Sequence, residues 1–96
     1  MSSLKDKNDG ILVEMSLLGD QMAYEELVIR HEKSVKGTAY KVTENEFSAE
    51  DASQDAFVSA WIKLDSLREK EKFGSWVCSI AKNCARDLVV HYECQW

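Results

Sequence analysis

The sequence predicts an all-α fold, a compact bundle of three long helices with one short N-terminal helix. Two observations carry this. The 96 residues include no proline and only four glycines, so the punctuation that many short strands need is missing. Apolar residues return every three or four positions through three long stretches, and nowhere does an alternating strand pattern take over. With 45% hydrophobic and 30% charged residues, the chain is composed as a folded domain and not as a disordered one. Its length suits one domain, expected as a flexible N-terminus over 1–10, a helical domain over 11–92 and a tail over 93–96.

The first helix is expected over residues 11–18, with Ile11, Leu12, Met15 and Leu18 on one side. Gly19 suits a left-handed helix end, and Asp20 suits the cap of the next helix. The second helix is expected over 21–42, with Tyr24, Leu27, Val28, His31, Val35, Ala39 and Val42 as a continuous apolar stripe. Gly37 interrupts it at a cost of up to ~1 kcal/mol relative to alanine, which a close helix crossing would offset. His31 reads as a packed histidine, since no partner for it is visible. A loop over 43–47 precedes the third helix, expected from Ala49 to Leu64 or beyond, with Ser48 as cap and Asp51 completing a capping box. Its buried side is Ala56, Phe57, Ala60, Trp61 and Leu64. Residues 66–72 form a charged connector. The last helix begins near Phe73 and ends near Tyr92, burying Phe73, Trp76, Val77, Ile80, Ala81, Cys84 and Leu88. Leu27, Val35, Phe57, Trp61, Trp76 and Ile80 are expected in one core, and Trp61→Ala is expected to cost ~3–5 kcal/mol if its helix is central.

No catalytic constellation is present: there is no phosphate-cradling glycine loop, no H-E-x-x-H and no nucleophile–base pair. Neither a cofactor nor a metal site is expected. Cys78 and Cys84 are six residues apart, roughly 240° around a helix, and do not converge on one ion. Cys94 with His91 is the remaining metal alternative to thiols that pack as small hydrophobes. Asp51 and Asp55, one turn apart, read as a partner-facing acidic patch more readily than as a metal pair. The N-terminus lacks the basic-then-apolar order of a signal peptide, and no apolar run approaches the ~20 residues of a membrane span. A cytoplasmic protein without membrane insertion is expected.

The net charge of −5 argues against a general nucleic-acid binder. The charge is uneven. Residues 1–65 carry 7 basic and 13 acidic side chains, a net of −6, whereas residues 66–91 carry 5 basic and 3 acidic ones, a net of +2. Any contact with DNA should fall on the second stretch.

Three blocks of sequence then fit together. Gly19-Asp20 with Ala23-Tyr24-Glu25-Glu26-Leu27 opens the second helix. Asp51, Gln54, Asp55 and Phe57, followed by Ala60-Trp61, form a D-x-x-Q-(E/D)-x-F pattern with A-W after it. Phe73-Gly74-Ser75-Trp76-Val77, Ile80-Ala81-Lys82-Asn83 and Arg86-Asp87-Leu88 form the last block. Together, over residues 16–89, they resemble region 2 of the extracytoplasmic-function group of sigma-70 factors, the initiation subunits of bacterial RNA polymerase. The resemblance implies a helical domain that docks on the coiled coil of the largest subunit of the RNA polymerase core. It also implies recognition and melting of the promoter −10 element by capture of the non-template single strand.

The residues this places in polymerase binding are Asp51, Gln54, Asp55, Val58 and Ile62. Those it places in DNA binding are Ser66, Arg68, Lys70, Lys72, Ser75, Lys82, Asn83 and Arg86. The chain departs from the family at Ser79, where many relatives have arginine, and in a less basic tail after residue 90. The family's −35-reading domain, region 4, is expected to be absent from this chain. Two other readings stand beside this one. One is a protein-interaction module, a truncated sigma that occupies polymerase or an anti-sigma factor; the other is a small helical enzyme.

Overall fold

Capping side chains set the helix boundaries in the computed structural model, which describes the backbone of residues 4–94 and the side chains of residues 4–89. Asn8 caps α1 (Asp9–Leu17), its Oδ1 accepting from the Ile11 amide at 2.9 Å. Gly19 takes the left-handed backbone (φ 101°) that lets the chain turn, as expected. Asp20 caps α2 (Gln21–Thr43), accepting from the amides of Met22 and Ala23. Glu44 ends α2 in the left-handed region at φ 54°. The cap of α3 (Glu46–Ile62) is Asn45 and not Ser48, because Asn45 Oδ1 accepts from the Ser48 amide at 2.9 Å. The expected loop over 43–47 is therefore shorter, and Phe47 lies in the first turn of the helix. α3 stops at Ile62. Two 3₁₀ turns, Leu64–Ser66 and Lys70–Lys72, carry the connector into α4 (Phe73–Cys94).

Structure also begins earlier than expected. A 3₁₀ turn at Leu4–Asp6 and the start of α1 at Asp9 occupy part of the stretch read as a flexible N-terminus. Apart from the three 3₁₀ turns every element is an α-helix, and among the described residues there is no strand. Each of α2, α3 and α4 packs on the other two, while α1 lies against α2 and the Lys70–Lys72 turn. The bundle is elongated, 54 × 22 × 19 Å.

The core has two parts. One holds Leu12, Leu27, Val35, Phe57, Leu64, Phe73 and Val77, with Trp76 and Ile80 half-buried against it. Full burial of side chains of this size contributes ~1.5–3 kcal/mol each. The other holds Ala39, Ala49, Ala52 and Ala85, with Val42, Cys84 and Leu88 at its edge. Trp61 is a correction: it is 39% exposed and flanks the core instead of being buried in it. Its ring stands edge-on to Tyr24, centroids 4.8 Å apart.

The buried side of α1 is also rotated from the expected stripe. Leu12, Val13 and Ser16 face inward, while Ile11 and Leu18 are exposed. Burial of Ser16 is compatible with packing because its hydroxyl donates to the Leu12 carbonyl at 2.7 Å. No close helix crossing occurs at Gly37, where an added Cβ would meet nothing within 4 Å. The close approach lies at Gly74, where a Cβ would sit 2.7 Å from the His31 ring.

Candidate nucleic-acid interface and docking face

The candidate docking face lies on α3. Asp51, Gln54, Asp55, Val58 and Ile62 fall at i, i+3, i+4, i+7 and i+11, so they share one side of the helix, and all five are exposed. Val58 is 60% exposed and Ile62 71%, leaving an apolar strip beside the carboxylates. Gln54 also lines a cleft of about 380 Å³ between α2 and α3 with Val28, Lys36 and Glu50. The Lys36–Glu50 pair across that cleft, at 3.6 Å and largely exposed, contributes little. Sequence reading missed that the strip reaches the α1–α2 turn. Leu18 and Met22 are exposed there, and a hollow of about 300 Å³ joins Leu17 and Gly19 to Trp61 and Ile62.

The face is held from behind by Tyr24. Its hydroxyl donates to the Phe57 carbonyl, tying α2 to α3 where the helical bond pattern alone gives no link between helices. Burial raises the Tyr24 pKa well above the ordinary phenol value, so the hydroxyl stays a donor at any physiological pH.

The expected DNA-contacting residues fall into two groups. Arg68, Lys70 and Lys72 gather at an open cavity of about 490 Å³, with Glu69 and Glu71 between them. Small-molecule sites take ~300–1,000 Å³, so this space is large enough for one nucleotide unit. Ser66 ends the preceding 3₁₀ turn, its hydroxyl donating to the Lys63 carbonyl at 2.6 Å. Ser75, Lys82, Asn83 and Arg86 instead run along the exposed side of α4. From Ser75 to Arg86 that side extends about 16 Å, too far for one pocket and suited to a strand laid along the helix.

Lys72 is already engaged, its Nζ 2.8 Å from Glu69. That hydrogen bond holds Glu69 below the ordinary carboxylate range and Lys72 above its own ordinary value. Among the described residues Arg68, Lys70, Lys82 and Arg86 form no ion pair, which leaves four cations for an incoming phosphate. Ser79 turns back along the helix, its hydroxyl donating to the Ser75 carbonyl at 3.2 Å.

The opposite wall of the cavity comes from α1, through Asn8, Gly10, Ile11 and Glu14. No sequence pattern announced this, because the wall and the connector are nearly sixty positions apart. His31 also has a partner that the sequence hid: its Nε2 lies 2.7 Å from Asp9 Oδ2. A carboxylate only accepts, so Nε2 carries the proton in this bond. Arg30 binds the other oxygen of Asp9 at 3.1 Å, Glu26 at 2.9 Å and the carbonyls of Leu4 and Lys5 at 3.0 Å.

Cys78 and Cys84 are half-buried and unpaired with each other. Burial, with Asp55 and Asp87 adding to it, pushes the Cys84 thiol up and away from the reactive thiolate. Among the described residues no group of three or more His, Cys, Asp or Glu is arranged to hold a metal ion. The Cys94–His91 pair lies outside the described side chains. No helix of the described residues is long and apolar enough to cross a membrane.

Residues 27–92 match the family sigma-70 region 2, and the chain belongs to that family. It is 32% identical over 71 residues to the ECF RNA polymerase sigma factor SigW of Bacillus subtilis, covering 74% of this chain and 38% of that one. It is 34% identical over 82 residues to the ECF RNA polymerase sigma-E factor of Escherichia coli K12, covering 85% and 42%. The chain thus spans about two fifths of the length of these relatives. Among solved structures it is similar to an engineered region 2 of sigmaE in complex with GTAAAA, with TM-score 0.82, 33% identity, and coverage of 95% of this chain and 93% of that one.

Proposed function

We propose that this domain acts in bacterial transcription initiation by docking on RNA polymerase core and capturing the non-template strand of the promoter −10 element. The observation that carries this is the likeness, over almost the whole of both chains, to a region 2 bound to GTAAAA. The net-positive stretch and the connector cavity support it, because a strand trap needs cations for the backbone and room for an unstacked base. No enzyme chemistry is required. Bases that leave the stack are held, and the binding free energy offsets an unpairing cost of a few kcal/mol per base.

The polymerase contact is assigned to Asp51, Gln54, Asp55, Val58 and Ile62, a polar rim beside an apolar strip. Phosphates are assigned to Arg68, Lys70, Lys82 and Arg86, with Lys72 joining once Glu69 is displaced. Ser66, Ser75 and Asn83 supply neutral donors and acceptors that can discriminate among bases. Fluorescence anisotropy should show single-stranded GTAAAA binding more tightly than its duplex, with affinity falling as salt rises. Equal binding of the two forms, or none, contradicts the DNA assignment. Gln54→Ala with Asp55→Ala should leave the fold intact and weaken capture of polymerase core. Unchanged capture contradicts the docking assignment.

A second reading, a protein-interaction module with no DNA function of its own, draws on the acidic excess of residues 1–65 and the exposed Val58, Trp61 and Ile62. Its partner would be polymerase or an anti-sigma factor. Polymerase capture without any hexamer binding would favour it.

A further inference from the structure

We infer that the first turn of α1 is the second wall of the strand-capturing pocket, and that Asp9 is the positioning residue that fixes the gap between the two walls. This rests on the single-strand reading above. The cavity of about 490 Å³ is bounded by residues 8–14 on one side and residues 68–72 on the other. Gly10 is buried at the seam. A Cβ there would lie 2.8 Å from Glu71 Cγ, so the absence of a side chain lets α1 approach the connector closely.

A helix of nine residues does not hold its own place in water, so tertiary ties must set the position of α1. Asp9 supplies two of them. Its Oδ1 accepts from Arg30 and its Oδ2 from His31, both on α2. Arg30 then reaches past α1 to the carbonyls of Leu4 and Lys5, securing the segment that leads into it.

The His31 ring meets the other wall as well. It lies 5.6 Å from the Phe73 ring, and the space a Cβ on Gly74 would need is filled by its Cε1 and Nδ1. Phe73 and Gly74 begin α4 immediately after the connector. One imidazole therefore touches both walls, α1 through Asp9 and the connector through the start of α4. α2 spans 23 residues and serves as the common reference for the two.

The ligand class follows from the walls. Arg68 and Lys70 on the connector suit a phosphate. On α1, Asn8 commits its Oδ1 to the helix cap, leaving its NH₂ to donate, and Glu14 offers an acceptor. This is a site for one unstacked nucleotide, its base edge toward α1.

The test measures affinities for single-stranded GTAAAA and its single-base variants. The unaltered chain, Gly10→Ala, Asp9→Ala and Val42→Ala are compared, Val42 lying at the edge of the alanine-rich core away from the cavity. Gly10→Ala and Asp9→Ala should reduce base preference at one position about fivefold or more, the scale of one lost base contact. Val42→Ala should leave the preference profile unchanged. In the unaltered chain, adding the hexamer should shift the backbone amide resonances of Gly10 and Ile11, a readout that stands even where a variant does not fold. A parent that binds without moving those amides overturns this inference alone. So do profiles unchanged by Gly10→Ala and Asp9→Ala, or a profile equally flattened by Val42→Ala. A parent that binds no hexamer overturns the single-strand reading, and this inference with it.

Discussion

The two halves of the bundle are packed on different principles. The half that carries the cavity uses large side chains: Phe73, Leu12, Leu27 and Val77 are fully buried, and Tyr24, His31 and Trp76 close around Phe73. The other half uses alanine, with Ala39, Ala49, Ala52 and Ala85 at the contacts of α2, α3 and α4. In the first half a fourth helix and the connector must also be accommodated, so bulky groups fill a wider interior. In the second, three helices meet alone, and small side chains let them approach. The Asp9, Glu26, Arg30 and His31 network lies in the bulky half, while the exposed Lys36–Glu50 pair bridges α2 and α3 beside the alanine half. The proposed nucleotide cavity lies where packing is heaviest, and the alanine half serves as a stem whose flanks carry the proposed contacts Asp51, Lys82 and Arg86.

Substitutions can break or sharpen this contrast. The largest effect is expected for Phe73→Ala, which empties the centre of the bulky half at a cost of ~3–5 kcal/mol in urea denaturation. A loss under ~1 kcal/mol would remove Phe73 from that role. Ala52→Leu should cost ~1–3 kcal/mol by overpacking, since no space is left between the helices of the stem. A neutral outcome would mean that the stem tolerates wider spacing. Trp61→Ala should cost only ~1–2 kcal/mol, because the ring is partly exposed and its main contact is the edge of Tyr24. A loss as large as that of Phe73→Ala would return Trp61 to the core. Gly37→Ala should stabilise by ~0.5–1 kcal/mol, since its Cβ would meet open space on an exposed helix. For a domain of this size that raises the thermal midpoint by roughly 4–8 °C per kcal/mol.

The fold was legible because period-3.6 patterning marks helices however they are arranged. The Gly19-Asp20 turn was legible because its chemistry is local. Trp61 was misread because periodicity identifies a side of a helix but not which flank of that side lies at the rim. Asn45 was passed over for Ser48 because both are good caps three residues apart, and only the accepting bond decides between them. The exposed positions on α3 and α4 follow directly from helical spacing. The α1 wall and the Asp9–His31 bond do not, since they join residues from separate helices that no short motif links. Asp9 was hidden further by its place in a polar stretch that reads as a flexible N-terminus.

The most direct test of the proposed strand capture is a map of backbone amide shifts as single-stranded GTAAAA is added to the full chain. Shifts should concentrate in residues 8–14 and 66–86 and be absent from residues 39–52. Shifts centred on 39–52, or spread evenly along all four helices, would contradict the account.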